Sequence, residues 1–213
     1  MTKEIELKYQ LDADTAQKLL AQRHLGGFAL GTFVVTEVDD VYYDTRDRHL
    51  ARAGYALRFR RRGEKRELQM KSLTPASGPR HIRHEIRIPT DTPTQPDHWP
   101  NTPETTLLRD ILDGQLPQPL FSIHQIRHEA PVLDPSGRPF ALLSLDQVRW
   151  EANGKEARAW EMEVELLPDR DESALNALQQ ALSTLPGLKP QAQSKYEQGM
   201  QLLAAAGPQE ERQ

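Results

Sequence analysis

Lys3-Glu4-Ile5-Glu6-Leu7-Lys8-Tyr9 near the start of the chain and Trp160-Glu161-Met162-Glu163-Val164-Glu165-Leu166 near its end alternate charge with apolar bulk, residue by residue. Strand side chains point to opposite faces with a period of two, so Glu4, Glu6 and Lys8 share one face and Ile5, Leu7 and Tyr9 the other. Glu161, Glu163 and Glu165 likewise fall on one side of the later strand. An apolar face this regular is buried, which leaves the acidic faces in water or lining a polar interior. Solvated edge strands are the ordinary alternative, since outer charges discourage aggregation. Three carboxylates about 7 Å apart along one strand, however, repel by roughly 2 kcal/mol per pair at an effective dielectric of about 20. A cation that holds them is the better expectation, and all-oxygen ligands suit a hard divalent ion such as Mg²⁺ or Mn²⁺.

The same design recurs between these strands. Tyr55 to Arg61 sets Arg58 and Arg60 opposite Leu57 and Phe59, and a turn at Gly63-Glu64 leads to Arg66 to Ser72, where Glu67, Gln69 and Lys71 oppose Leu68 and Met70. His81 to Ile88 places Arg83, Glu85 and Arg87 opposite Ile82, Ile86 and Ile88. Three successive strands with Arg or Lys on the polar face predict a sheet curled around a charged interior. Further strands are expected over Thr32 to Thr45, Leu120 to Ala130 and Phe140 to Trp150, the last joined to the acidic strand through Asn153-Gly154, a hairpin signal. Helical spacing marks Ala16, Leu19, Leu20 and Leu25 after a cap at Asp12 or Asp14, ending at Gly26-Gly27. It also marks Leu107 to Leu112 after Pro103, Asp171 to Leu185, and Gln191 to Ala206 with Lys195 in its first turn. The proline-rich stretch from Thr90 to Pro103 is a loop that Trp99 docks on the body. The expected fold is α+β: an eight-stranded antiparallel β-barrel, or tunnel, with flanking helices, in one domain over residues 1–206 and a disordered tail over 207–213.

Composition narrows the chemistry. The chain has 213 residues, a net charge of −4 and no cysteine, which argues against a nucleic-acid partner and removes thiol nucleophiles, disulfides and Cys-ligated zinc. No apolar run reaches the roughly 18 residues of a membrane span, and a cytoplasmic protein is expected. Walker A, Gly-x-Gly-x-x-Gly, His-Glu-x-x-His and Gly-x-Ser-x-Gly motifs are missing. Of the seven histidines, His81 alone shares strand parity with Arg83 and Glu85. The polar faces sort into an acidic set, Glu4, Glu6, Asp146, Glu161, Glu163 and Glu165, and a basic set, Lys8, Arg58, Arg60, Lys71, Arg83, Arg87, Arg127 and Lys195. A polyphosphate with its divalent metal satisfies both sets. A network of salt bridges alone would bury many charges against a large desolvation cost.

Glu4-Ile5-Glu6-Leu7-Lys8 resembles the Glu-x-Glu-x-Lys signature of the CYTH domain, the triphosphate tunnel metalloenzyme superfamily. The resemblance runs over about residues 3 to 200 and includes Tyr42-Tyr43-Asp44-Thr45, Leu57-Arg58-Phe59-Arg60, Lys71, Arg83 with Glu85, Asp146, Glu161 to Glu165 and Ser194-Lys195. The Trp99-Pro100 loop and Pro119 to Ser122 are similar to bacterial inorganic triphosphatases within it. The resemblance implies a tunnel that binds a triphosphate, the small-molecule partner expected. Its metal, Mg²⁺ or Mn²⁺, would be held by Glu4, Glu6, Asp146, Glu161, Glu163 and Glu165. Glu4, Glu6, Lys8 and Glu163 would be catalytic, and Arg58, Arg60, Lys71, Arg83, Arg127 and Lys195 would cradle phosphates. Hydrolysis of tripolyphosphate to pyrophosphate and phosphate is the activity implied. Thiamine triphosphatase, nucleoside triphosphatase or class IV adenylyl cyclase activity, or non-catalytic polyphosphate binding, are its alternatives. One departure is Gln125, where the family often has lysine two residues ahead of the arginine at 127; Arg87 is a candidate to compensate.

Overall fold

In the computed structural model, which describes residues 1–206, eight long strands close on themselves. They are β1 (Thr2–Leu11), β4 (Val34–Asp44), β5 (Tyr55–Arg62), β6 (Lys65–Ser72), β7 (Arg80–Pro89), β8 (Gln118–Leu133), β9 (Pro139–Ala152) and β10 (Lys155–Leu166). Neighbours run β8-β4-β5-β6-β7-β1-β10-β9, and β9 returns to β8, every pairing being antiparallel. The ring has no free edge, so no row of unpaired backbone groups is left exposed along it. The β9–β10 hairpin turns on Asn153 and Gly154, both at positive φ (46° and 75°), the backbone sign that a two-residue turn matched to strand twist requires.

Strand parity decides what each wall residue meets. Outward-facing Ile5, Leu7, Leu143, Leu145, Met162 and Val164 are buried against Ala16 and Leu19 of α1 (Ala13–Leu20) and Leu175, Leu178 and Leu182 of α4 (Glu172–Leu182). On the opposite wall Leu57, Leu68, Met70, Ile86 and Ile88 pack on Leu50 of α2 (His49–Arg52), Leu108 and Leu112 of α3 (Pro103–Leu112), and Trp99. Ile82, outward and 40% exposed, and Val35 on β4, 56% exposed, are left uncovered. Trp99 pins the proline-rich loop, donating its indole N–H to Thr92 O at 3.0 Å. A third apolar cluster fills part of the barrel interior: Tyr42, Phe121, Ile123, Val148 and Trp150 meet Tyr196 of α5 (Lys195–Ala206). The outer face is therefore covered by helices over two stretches of wall, and the inner face is filled by its own apolar plug and paired charged side chains. Among the described residues no helix is long and apolar enough to cross a membrane.

Several boundaries differ from expectation. Helix α1 stops at Leu20, and Leu25 belongs to a short strand, β2 (His24–Leu25), that turns at Gly26-Gly27 into β3 (Phe28–Leu30). At 100° per residue Leu25 would fall opposite Ala16, so a continued helix would point it away from the core that it enters as a strand residue. The last helix begins at Lys195 rather than near Gln191. Lys189–Pro190 pair with β1 as β11, and Gln191 N donates to Lys8 O at 3.0 Å, which holds the approach extended. Helix α2 is additional: Asp44 accepts from the backbone N–H of Leu50 and Ala51, and Thr45 Oγ1 from that of His49. The expected tail over 207–213 lies outside the described residues.

Candidate active site

The barrel encloses a cavity of about 220 Å³ on whose wall the alternating strands place their polar residues. Nine Lys and Arg and six Glu line it. On the lining itself cations outnumber carboxylates, and Asp40, Glu85, Asp146 and Glu161 in the wall behind it make up the balance. Arg58, Arg60, Lys71, Arg83, Arg127 and Lys195, the expected phosphate cradle, all reach it, as do Lys8, His81 and Arg87.

The carboxylates divide into two groups. Glu4, Glu6, Glu163 and Glu165 line the cavity, whereas Asp146 and Glu161 do not and are fully buried in the wall behind it. Asp146 accepts both Nε (2.7 Å) and Nη2 (2.6 Å) of Arg127 and Nζ of Lys195 (2.7 Å). Glu161 lies 3.0 Å from Lys8 Nζ and 3.4 Å from Lys195 Nζ, and accepts from Gln198 at 2.6 Å. In this arrangement Asp146 and Glu161 hold Arg127, Lys8 and Lys195, and a metal role for them would require those bonds to be shared or broken. Lys195 is likewise paired within the wall. Its ammonium is enclosed by Asp146, Glu163 (2.7 Å) and Glu161, which outweigh burial and raise its pKa. The positive end of α5 would disfavour a lysine in its first turn; three carboxylates overcome that.

The remaining acidic group is electrostatically unsettled. Glu6 faces Glu165 directly across the β1–β10 ladder, with Glu163 on the diagonal, and like charges opposite one another destabilise a sheet. Burial, opposed by Arg83 and reinforced by Glu163 and Glu4, pushes the Glu6 carboxyl up to about 7. Burial with Glu4 and Glu85 nearby also raises Glu165. Burial would raise Glu4 as well, but Lys71 Nζ at 2.5 Å and Arg83 outweigh it and hold that carboxyl well below the usual range. Glu163 is held low in the same way against burial by Lys195, Arg127 and Lys8. Among the described residues no three carboxylates or imidazoles converge on one point, because each is turned to a cation: Glu6 to Arg83, Glu4 to Lys71, Glu163 to Arg127 and Lys195. The donor chemistry nevertheless fits a hard divalent ion, which would relieve the Glu6, Glu163 and Glu165 repulsion that the cations leave.

A family model for the CYTH domain matches residues 2–200. The chain belongs to the CYTH domain family. Similar solved structures of the CYTH fold include a candidate adenylate cyclase from Bacillus halodurans (22% identity, 93% of this chain and 98% of that one, TM-score 0.61). A second is HpAC1 of Hippeastrum, described as an adenylyl cyclase candidate with a dominant triphosphatase activity (21%, 93% and 95%, 0.58). A third is the PH1819 protein of Pyrococcus horikoshii (19%, 93% and 98%, 0.57). At these identities the likeness establishes the fold. No curated protein sequence matches the chain.

Within this CYTH barrel, parity located most of the charged lining but missed Arg62, Glu129 and Glu197 on it and Asp40 in the wall behind it. Asp40 is fully buried among Arg58, Arg60 and Gln125. Glu129 lines the cavity beside Arg62 and Arg127, and Arg62 also lines it. Arg62 continues the Arg58, Arg60 alternation, and that signal sufficed to find it. Gln125 faces inward yet does not reach the cavity; its amide donates to Asp40 Oδ2 at 2.9 Å. Arg87 lines the cavity and is paired with Glu85 at 2.7 Å. His81 points inward, its Nε2 2.8 Å from Gln191 O, and burial lowers its pKa, which keeps it neutral at pH 7.

Proposed function

We propose that this CYTH protein is a divalent-metal-dependent triphosphatase acting on inorganic tripolyphosphate. The observation that carries the reading is the barrel cavity lined by nine cations and six carboxylates. Glu4, Glu6, Glu163 and Glu165 would hold Mg²⁺ or Mn²⁺, which when bound supplies positive charge to the phosphoryl oxygens and an acidified water. Arg60, Lys71, Arg83 and Arg127 bind the non-bridging oxygens and resist their movement as charge shifts toward the leaving group. Arginine forks suit the paired oxygens of a phosphoryl group. Lys8, 3.7 Å from Glu163, keeps that carboxylate ionised and oriented. Lys195 does the same from α5. Water adds to the terminal phosphorus, the bridging P–O bond breaks, and pyrophosphate and orthophosphate leave with one proton released to solvent.

A nucleoside triphosphate is the second reading, supported by Tyr42, Leu73 and Tyr196 on the lining, apolar surface that bare tripolyphosphate does not need. One experiment separates the readings: orthophosphate and cyclic-nucleotide formation measured with tripolyphosphate, thiamine triphosphate, ATP and pyrophosphate, each with Mg²⁺, Mn²⁺ or EDTA. The expected result is release from tripolyphosphate that EDTA abolishes. Full turnover in EDTA removes the metal role, and binding of every triphosphate without turnover of any makes the protein a polyphosphate-binding module.

A further inference from the structure

Asp40, on β4, is turned into the barrel and fully buried, and the hydrolysis outlined above gives it no task. In the β4–β5 ladder it stands directly opposite Arg60. Its Oδ1 accepts from Arg60 Nε at 2.7 Å and its Oδ2 from Arg60 Nη2 at 2.7 Å, the two-pronged pairing that fixes a guanidinium's plane. Oδ2 also accepts from Gln125 Nε2 at 2.9 Å and Arg58 Nη1 at 3.5 Å. Arg58 is itself gripped from the far side by Gln69 Oε1, at 2.8 Å from Nε and 2.6 Å from Nη2.

Donor bookkeeping separates the two arginines. A guanidinium has five N–H groups. Arg58 makes four bonds, to Gln69, Asp40 and Tyr42. Arg60 makes two, both to Asp40, and its other three N–H groups have no partner among the described residues although its side chain lines the cavity. Arg58 is thus a bracing group and Arg60 a presenting one. Gln125 belongs to the brace: a lysine there would bring a third cation to Asp40 and divide its charge, whereas an amide donates a hydrogen bond and leaves that charge to the arginines.

Resting on the triphosphate reading above, we propose that Asp40 is the positioning residue of the phosphate site. With Gln125 and Arg58 it fixes the Arg60 guanidinium so that its three unbonded N–H groups face the cavity as a preformed donor edge for one phosphoryl group. Orientation set before binding spares the flexible side chain its ordering cost when the anion arrives. One residue along the same two strands, Asp39 and Arg61 repeat the pair on the outer, exposed face at 3.3 Å. Joined by that single contact, with His124 Nδ1 2.9 Å from Asp39 Oδ1, they provide a control aspartate–arginine pair outside the barrel interior.

The test joins nuclear magnetic resonance of the arginine Nε–H groups to a double-mutant cycle on tripolyphosphate hydrolysis. Wild type should show an Arg60 Nε–H signal, assigned by its loss in Arg60→Lys, that exchanges slowly with water and vanishes in Asp40→Asn. Asp40→Asn should lower kcat/KM on the order of 100-fold, the scale of a misplaced binding group. In an Arg60→Ala background the same change should cost less than about 3-fold, since coupled residues are not additive. Asp39→Asn should change neither readout. Should Asp40→Asn fail to fold, Gln125→Met removes one arm of the brace, and its smaller loss must likewise disappear in the Arg60→Ala background. Persistence of the Arg60 signal in Asp40→Asn, or an equal cost of either variant with and without Arg60, overturns the proposal. If wild type binds no triphosphate in calorimetry while the Arg60 signal is protected by Asp40, the triphosphate reading fails and the brace stands.

Discussion

Glu6 concentrates the electrostatics of the site in one carboxyl. Its pKa is raised, so in the fold it keeps a proton that the unfolded chain gives up near pH 4.5. Stability from this group is therefore present at low pH and lost as pH rises through about 7, by at most about 3 kcal/mol. Glu4, Asp146 and Glu163, held low, act in the opposite sense: their contribution is present above pH 4.5 and lost in acid. His81, with a lowered pKa, gains stability as pH rises toward 6.5, which makes the difference between proteins the clean measure. In EDTA the melting temperature of wild type relative to Glu6→Gln should fall between pH 5 and 7.5; parallel curves would refute the raised carboxyl. Glu163→Gln should behave unlike Glu6→Gln and destabilise the protein, because Lys8, Arg127 and Lys195 would lose their shared anion. The inward direction of Glu4, Glu6, Arg58, Arg60, Lys71 and Arg83 was legible because each alternates with an apolar neighbour. Asp40 was not: in Asp39-Asp40-Val41-Tyr42-Tyr43-Asp44 both parities carry acids and both carry apolar groups, so the pattern cannot say which aspartate enters the barrel. Nor does parity tell a carboxylate at the cavity from one in the wall behind it, which is why Asp146 and Glu161 looked equivalent to Glu163.

Among the elements, α5 is the one whose placement the chemistry depends on most. Its first residue delivers Lys195 to the buried carboxylates, and Trp150 Nε1 donates to Lys195 O at 3.0 Å, fixing the helix start from the barrel side. One turn on, Gly199 lies against Phe121 so closely that an added methyl would occupy the ring's place. Two effects of Gly199→Ala compete: helix propensity gains up to about 1 kcal/mol, while overpacking costs about 1–3 kcal/mol. Phe121 is stacked on Tyr42 (4.8 Å) and meets Tyr196, so it has little room to yield and overpacking wins. Gly199→Ala should lower the melting temperature, and an unchanged or higher one would show that α5 does not pack as described. Lys195→Ala should destabilise more, by about 3–5 kcal/mol, because it leaves Asp146, Glu161 and Glu163 without their common cation. The long strands were readable from period-two alternation. Short elements were not: α2 is four residues held by Asp44 and Thr45, and β11 is two residues paired to β1, lengths at which no periodicity exists.

For the molecule as a whole, the barrel interior neutralises itself when nothing else is bound. Arg83 with Glu6, Lys71 with Glu4, and Arg127 and Lys195 with Glu163 are the pairs that a metal or a triphosphate must share or break. A divalent ion arriving alone draws the carboxylates and leaves Arg83 and Lys71 without anions; a triphosphate arriving alone draws the arginines and leaves the carboxylates to repel one another. Arriving together, each supplies the partner that the other displaces. The two affinities should therefore be positively coupled, by the 1–3 kcal/mol usual for linked sites, with neither ligand binding well alone. Thermal unfolding measures this directly. At about 100 times its Kd a ligand adds about 2.7 kcal/mol, which corresponds to about 5–10 °C for a chain of this length. Mg²⁺ with tripolyphosphate, hydrolysis being suppressed by a non-hydrolysable imido analogue or by recording at once after mixing, should raise the melting temperature by that amount. Mg²⁺ or tripolyphosphate singly, at the same concentrations, should give shifts whose sum is clearly smaller. Additive shifts would mean that the ion and the phosphate occupy separate groups, and that the paired charges within the barrel are structural rather than a site held closed until both arrive.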